Sequence, residues 1–147
     1  DVFAESSFAK QIALAEHGYI KPEIKVGNIE SLRTIADVRD AVRAYYLLVT
    51  ENPIAGESYN IGGVHTAKIS EILEYLISLS PLKDELKIIV DQSRLRPIDA
   101  DLQIPSTEKF RNHTGWEPII VFEDTMRDLL NYWREKISLG VASRIVR

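Results

Sequence analysis

The run Ser93-Arg94-Leu95-Arg96-Pro97-Ile98-Asp99 sets two arginines two positions apart, closes them with a proline, and puts a carboxylate three residues beyond the second. Residues i and i+2 of an extended segment point to one side, so both guanidiniums face a common target. A guanidinium is a planar fork of donors that matches phosphate oxygens, and a neighbouring aspartate accepts from sugar hydroxyls. The chemistry on offer is the gripping of a phosphorylated sugar, not the making or breaking of its bonds. A surface loop with an internal salt bridge has the same composition, because arginines are mostly exposed.

Groups that would carry out a reaction are not assembled. No G-x-G-x-x-G or G-x-x-x-x-G-K-[ST] loop occurs, and Gly62-Gly63, lacking a third glycine and a trailing acid, reads as a turn. His17, His65 and His113 lie far apart with no partner at metal-ligand spacing, which suits helix ends and surfaces better than ligation. No serine stands in a G-x-S-x-G elbow. Glu71 with Glu74, and Glu123 with Asp124, fall on polar helix faces and read as solvated.

Composition narrows the class further. The 147 residues suffice for one domain with a sizeable core, and the apolar (45%) and charged (27%) shares are those of an ordinary globular chain. A net charge of −4 without a basic run argues against nucleic-acid and membrane surfaces as partners. The absence of cysteine excludes disulfides, iron–sulfur clusters, thiolate zinc and a cysteine nucleophile, and fits a cytoplasmic location. No apolar stretch approaches the roughly eighteen residues of a membrane helix, and no signal-peptide pattern is present. The one methionine is Met126, so the chain starts at Asp1 without an initiator; the expectation is a processed product, a cloned fragment or part of something longer.

The positioning elements follow from periodicity. Phe8, Ile12 and Ala15 mark one face of a helix over Ser6 to His17, stopped by Gly18. Ile24 to Val26 and Leu32 to Ile35 read as short strands, with a turn at Gly27-Asn28. Asp37 caps a helix carrying Val38, Ala41, Val42, Tyr45 and Val49, which Asn52-Pro53 ends. Ser58 to Ile61 reads as a compact strand, Ile69 to Ile77 as an amphipathic helix closed by Ser80-Pro81, and Leu86 to Val90 as a strand. Phe122, Met126, Leu129, Leu130, Trp133 and Ile137 make the last helix, and the stretch after Ser138 reads as loose tail or vector remnant. Strands alternating with helices predict an α/β or α+β arrangement with helices covering strands. Trp116 reads as a packing anchor beneath the last helix, and Tyr45-Tyr46 and Tyr132-Trp133 as core or interface.

Read in order, Phe8 to Ala13, Val26 to Arg33, Asp37 to Tyr45, Glu57 to Gly63, Ser93 to Asp99, Gly115 to Pro118 and Asp128 to Arg134 form a series. It resembles the carboxy-terminal half of extended short-chain dehydrogenase/reductases acting on sugar nucleotides. The closest subgroup is the GDP-mannose 4,6-dehydratases, with the GDP-4-keto-6-deoxymannose reductases beside them. The resemblance implies an α/β fold, an incomplete NAD(P)-binding Rossmann fold whose substrate-binding part is this chain. It divides the chain into a nucleotide-sugar-binding region, 1–137, which also contributes a strand and a helix of the Rossmann sheet, and a tail, 138–147.

It also implies roles. Arg33 and Arg96 take the positions of two arginines that reach the nucleotide diphosphate, and Asp99 that of the acid holding a ribose hydroxyl, where dehydratases often carry Glu. The first helix meets the base through Ala4, Ser7 or Lys10; dehydratases often have lysine at the position of Ser7. Arg94 is the lesser candidate, with a carboxylate as its alternative partner. The family's NADP (or NAD) loop and its Tyr-x-x-x-Lys pair with a Ser/Thr partner belong to the amino-terminal half, and the expectation is that neither lies in this chain. The implied partner is a GDP-sugar and the implied parent a homo-oligomeric dehydratase, alternatively a reductase or another sugar-nucleotide epimerase/dehydratase. A free-standing, non-catalytic nucleotide-sugar-binding module is the other class.

Overall fold

The computed structural model describes residues 3–51, 53–95 and 102–140. In chain order the elements are α1 (Ala4–Glu16), β1 (Glu23–Val26), β2 (Leu32–Ile35), α2 (Val38–Thr50), β3 (His65–Lys68), α3 (Ile69–Ser78), β4 (Lys87–Val90), β5 (Leu102–Gln103), α4 (Glu108–Thr114) and α5 (Phe122–Ser138). They group into two units, one drawn from 1–31, 68–99 and 126–147, the other from 32–67 and 100–125.

In the first unit β1 and β4 pair in parallel, from Glu23 opposite Lys87 to Val26 opposite Val90, so both carboxyl ends lie at one side. α1 packs on β1 and on α3. The reason is the i, i+4 row of α1: Phe8 and Ile12 are buried, as are Ile24 and Val26 of β1 and Ile72, Leu73 and Leu76 of α3. α1 ends where Gly18 turns to φ 72°, a left-handed conformation that costs glycine little. His17 Nδ1 donates to Ala13 O at 2.8 Å, the helix-end role expected of it. Glu71 is exposed, as read, and its Oε2 also accepts the Lys68 N–H at 2.7 Å and caps α3. β4 is exposed along its whole length, so helices do not cover every strand.

In the second unit the sheet order is β3-β2-β5, with Leu32 opposite Leu102 in a parallel pair. α2 begins at Asp37, whose Oδ1 accepts from Arg39 N at 2.8 Å. Its buried Ala44 meets Phe110 of α4 and Trp116, with Tyr59 and Ile61 packed against them. Trp116 is thus an anchor, but under α2: its Nε1 donates to Asp40 O at 3.2 Å. The buried Asp40 carboxylate accepts from Ile119 N and Ile120 N, both at 3.0 Å, and from Arg43, tying the Trp116–Ile120 segment to α2. Burial alone would raise the Asp40 pKa, but these bonds hold it below the ordinary carboxylate value.

Ser58 to Ile61 is not a strand. Tyr59 and Ile61 do alternate inward, but a strand exists by pairing, and no neighbour pairs with this stretch among the described residues. Gly62-Gly63 is not a turn; a Cβ on Gly63 would stand 1.6 Å from Ile35 O, so the glycine is there for close backbone approach. Tyr45 and Tyr46 are exposed rather than core.

Candidate functional site

The carboxyl ends of β1 and β4 are where open parallel sheets bind ligands. Asp91 N, just past β4, donates to Val26 O at 2.8 Å and ties the two ends together. A single turn of 3-10 helix, Gln92–Arg94, follows. This turn lies against Gly27: a Cβ there would come within 2.5 Å of Arg94 O. The absent side chain is what lets the turn cross the end of β1.

That crossing brings Arg94 to α1. Arg94 Nη1 donates to Ser7 Oγ at 3.3 Å, while Nε lies 3.6 Å from Asp91 Oδ2. Ser93, whose hydroxyl and N–H donate to Asp91 Oδ1 at 2.7 and 3.0 Å, holds the Asp91 pKa below the ordinary carboxylate value. Gln11 Oε1 accepts from Lys25 N at 2.8 Å, and Nε2 donates to Lys25 O at 3.1 Å and to Ser7 Oγ at 3.3 Å. The Gln11 amide therefore closes one edge of β1 and fixes the register of α1, and with it the place of Ser7.

Lys10, one turn on from Ser7, lies over the Trp133 ring, 5.5 Å from its centroid, and burial lowers its pKa. Trp133 Nε1 in turn donates to Ser6 Oγ at 3.1 Å. Arg33 belongs to the second unit, where its Nη1 donates to Leu32 O at 2.8 Å on its own strand. Arg96 and Asp99 lie outside the described residues. Of the sequence candidates, the structure thus brings Ser7 and Arg94 together; it adds Gln11, which sequence reading passed over, and gives Gly27, read as a turn, the role of admitting the Arg94 turn. A glycine directly after a strand was their one visible signal.

The expectation that no Tyr-x-x-x-Lys lies in this chain is corrected by α5. Tyr132 and Lys136 stand four apart in α5, the spacing Tyr-x-x-x-Lys. Lys136 Nζ lies over the exposed Tyr132 ring, 5.4 Å from its centroid, a cation–π pair on a helix surface. Among the described residues no group of His, Asp or Glu is arranged to hold a metal ion, and no helix is long and apolar enough to cross a membrane. Among the described residues no glycine-rich turn joins a strand to a helix to cradle a dinucleotide pyrophosphate, and the space at Gly63 is filled by the protein's own backbone.

The fold is that of the extended short-chain dehydrogenase/reductases, of which the chain matches a part. The structure of RMD from Pseudomonas aeruginosa complexed with NADPH superimposes with a TM-score of 0.80 at 30% identity, over 92% of this chain and 44% of that one. Across residues 1–129 the chain matches, and belongs to, the GDP-mannose 4,6 dehydratase family. It is 31% identical over 137 residues to GDP-6-deoxy-D-mannose reductase of Pseudomonas aeruginosa, covering 93% of this chain and 44% of that protein. It is 28% identical over 131 residues to dTDP-glucose 4,6-dehydratase of Shigella flexneri, covering 78% of this chain and 34% of that protein. The chain therefore spans less than half the length of these curated relatives.

Proposed function

We propose that this chain is the nucleotide-sugar-binding part of an NADP- or NAD-dependent enzyme that modifies a GDP-linked hexose. The observation that carries this is the donor-lined end of the parallel β1–β4 pair, where Ser7 and Arg94 meet, in a chain of this family. In this reading residues 1–137 form the binding region and 138–147 a tail. Arg33 and Arg96 grip the diphosphate, Asp99 a ribose hydroxyl, and Ser7 and Lys10 face the base. A diphosphate carries about two negative charges, and two forked donors suit it. The chain supplies grip; the hydride chemistry belongs to the nicotinamide.

Two activities fit. The 31% identity to a reductase supports net hydride transfer to the 4-keto group of GDP-4-keto-6-deoxymannose. Ser7 and Asp99, where dehydratases often carry Lys and Glu, point the same way. The family's name supports the other activity, conversion of GDP-mannose to GDP-4-keto-6-deoxymannose by loss of water, with the cofactor restored in each cycle. We take the reductase first.

The test is turnover by the polypeptide that carries this chain, beside calorimetric titration of the chain with GDP, UDP and dTDP. Oxidation of NADPH that depends on the 4-keto sugar identifies the reductase. Consumption of GDP-mannose with no net change in NADPH identifies the dehydratase. GDP binding without either turnover marks a non-catalytic module, and no binding of any of the nucleotides overturns the reading.

A further inference from the structure

From the strand-end geometry we infer that Arg94, together with Ser7, is a specificity-determining pair that reads the O6/N7 edge of guanine. The inference rests on the nucleotide-sugar reading above and assigns a residue to its base.

Hydrogen-bond accounting starts it. Ser7 Oγ accepts from Arg94 Nη1 at 3.3 Å, while Gln11 Nε2, whose other hydrogen goes to Lys25 O, stands 3.3 Å from both Ser7 Oγ and Ser7 O. A hydroxyl that accepts from Arg94 turns its own single hydrogen away from that donor, so this hydrogen is left to donate. Arg94 uses one Nη1 hydrogen on Ser7, turns Nε toward Asp91, and keeps its Nη2 hydrogens at a half-exposed surface. The two side chains thus present donors side by side.

The charge around the pair selects what they take. Asp91 Oδ2 stands 3.6 Å from Arg94 Nε, and Ser93 holds that carboxylate in place by two hydrogen bonds. An anion drawn to Arg94 would meet this carboxylate, so a phosphate gains little here. A neutral edge with adjacent acceptors loses nothing by it. Guanine presents such an edge, O6 beside N7, and a forked arginine is its usual partner. Adenine presents an amino group in place of O6, which would set donor against donor. Uracil and thymine offer O4 without a ring acceptor beside it.

Position adds the last requirement, because a reader must be rigid. Gly27 admits the backbone of the Arg94 turn, Asp91 N ties that turn to Val26, and Gln11 fixes Ser7 against Lys25. The pair is therefore set by backbone contacts on both sides and does not depend on its own weak mutual bond.

The experiment is a set of dissociation constants for GDP, IDP, 7-deaza-GDP and ADP, measured by calorimetry on the wild-type chain and on Arg94→Ala, Arg94→Lys and Ser7→Ala. The wild type is expected to bind IDP like GDP, since the O6/N7 edge is unchanged. It should bind 7-deaza-GDP and ADP about tenfold or more weakly. Arg94→Ala and Arg94→Lys should bring GDP close to ADP while leaving ADP affinity as it was. Ser7→Ala should do so in part. A preference for GDP over ADP that survives Arg94→Ala overturns the inference, as does equal binding of GDP and 7-deaza-GDP by the wild type. The latter comparison needs no variant, so a misfolded mutant does not protect the idea. Equal, measurable binding of all four sinks the pair but leaves the nucleotide-sugar reading standing, whereas binding of none sinks both.

Discussion

Arg134 of α5 closes on Glu16 at the end of α1 through two bonds of 2.7 Å, one to each carboxylate oxygen. Ser80 Oγ donates to the same carboxylate at 2.7 Å, and Arg134 Nη2 also reaches Leu79 O at 3.1 Å. Three helix ends are joined at one fork. Burial alone would raise the Glu16 pKa, but the bonds from Arg134 and Ser80 hold it below the ordinary value. Arg134→Ala leaves this largely buried carboxylate without its partner and is expected to cost about 2–3 kcal/mol. Urea denaturation checks this, and a loss under about 0.5 kcal/mol, as for a surface pair, would show that the fork contributes little.

Asp37 gives the fold an acid limit. Arg39 donates to both its carboxylate oxygens, and Thr125 Oγ1 donates at 2.8 Å. With Arg39 as the main cause, the pKa falls from 3.8 to about 2. A depressed carboxylate stabilises fully above its unfolded value and ceases to as pH drops through the folded one. That contribution, about 1–2 kcal/mol once the exposure of Arg39 is allowed for, is therefore present above pH ~4 and fades toward pH ~2. Asp37→Asn keeps the helix cap and should flatten the melting temperature over that window. A variant with the wild-type pH profile would refute the assignment.

Gly63→Ala drives a Cβ to 1.6 Å from Ile35 O, a backbone atom that cannot rotate away. The loss of stability should reach or exceed the roughly 1–3 kcal/mol typical of overpacking. Gly56→Ala, with open space at its Cβ but φ 84°, should cost only about 1 kcal/mol from backbone strain. Thermal melts of the two variants test the difference; equal shifts would remove the close-approach explanation.

α2 carries Val38, Val42, Tyr45, Tyr46 and Val49 at more than half exposure, a continuous apolar face at helical spacing. The chain is expected to bind an apolar dye and to self-associate. Val42→Lys with Tyr46→Lys should reduce both while the circular dichroism spectrum stays unchanged. A dye-silent, monomeric wild type would contradict the exposed face.

Under the proposed function, Arg33→Ala and Arg96→Ala should each weaken GDP binding by roughly one to two decades, the effect of losing a charge-assisted pair. Calorimetry with GDP reads this directly. Unchanged affinity in both variants would remove them from the diphosphate site.

Much of this protein could be read from one dimension. Helices α1, α2, α3 and α5 and strands β1, β2 and β4 lie where period 3.6, short apolar runs and caps put them, because amphipathic burial leaves its spacing in the residues. The order of the motifs likewise carried the family. β3 and α4 were not legible: His-Thr-Ala-Lys buries only Ala67 and Glu108–Thr114 only Phe110, so neither leaves a period. Ser58 to Ile61 had the alternation of a strand without the partner that makes one.

The site divides the same way. Which side chains carry donors and charge is written in the sequence, and Ser7 and Arg94 are both visible there. That they meet across a separation of eighty-seven positions is decided by the parallel register of β1 and β4 and by the missing side chain at Gly27. Register and close approach are relations between segments distant in the chain, set by packing, so only the folded structure contains them.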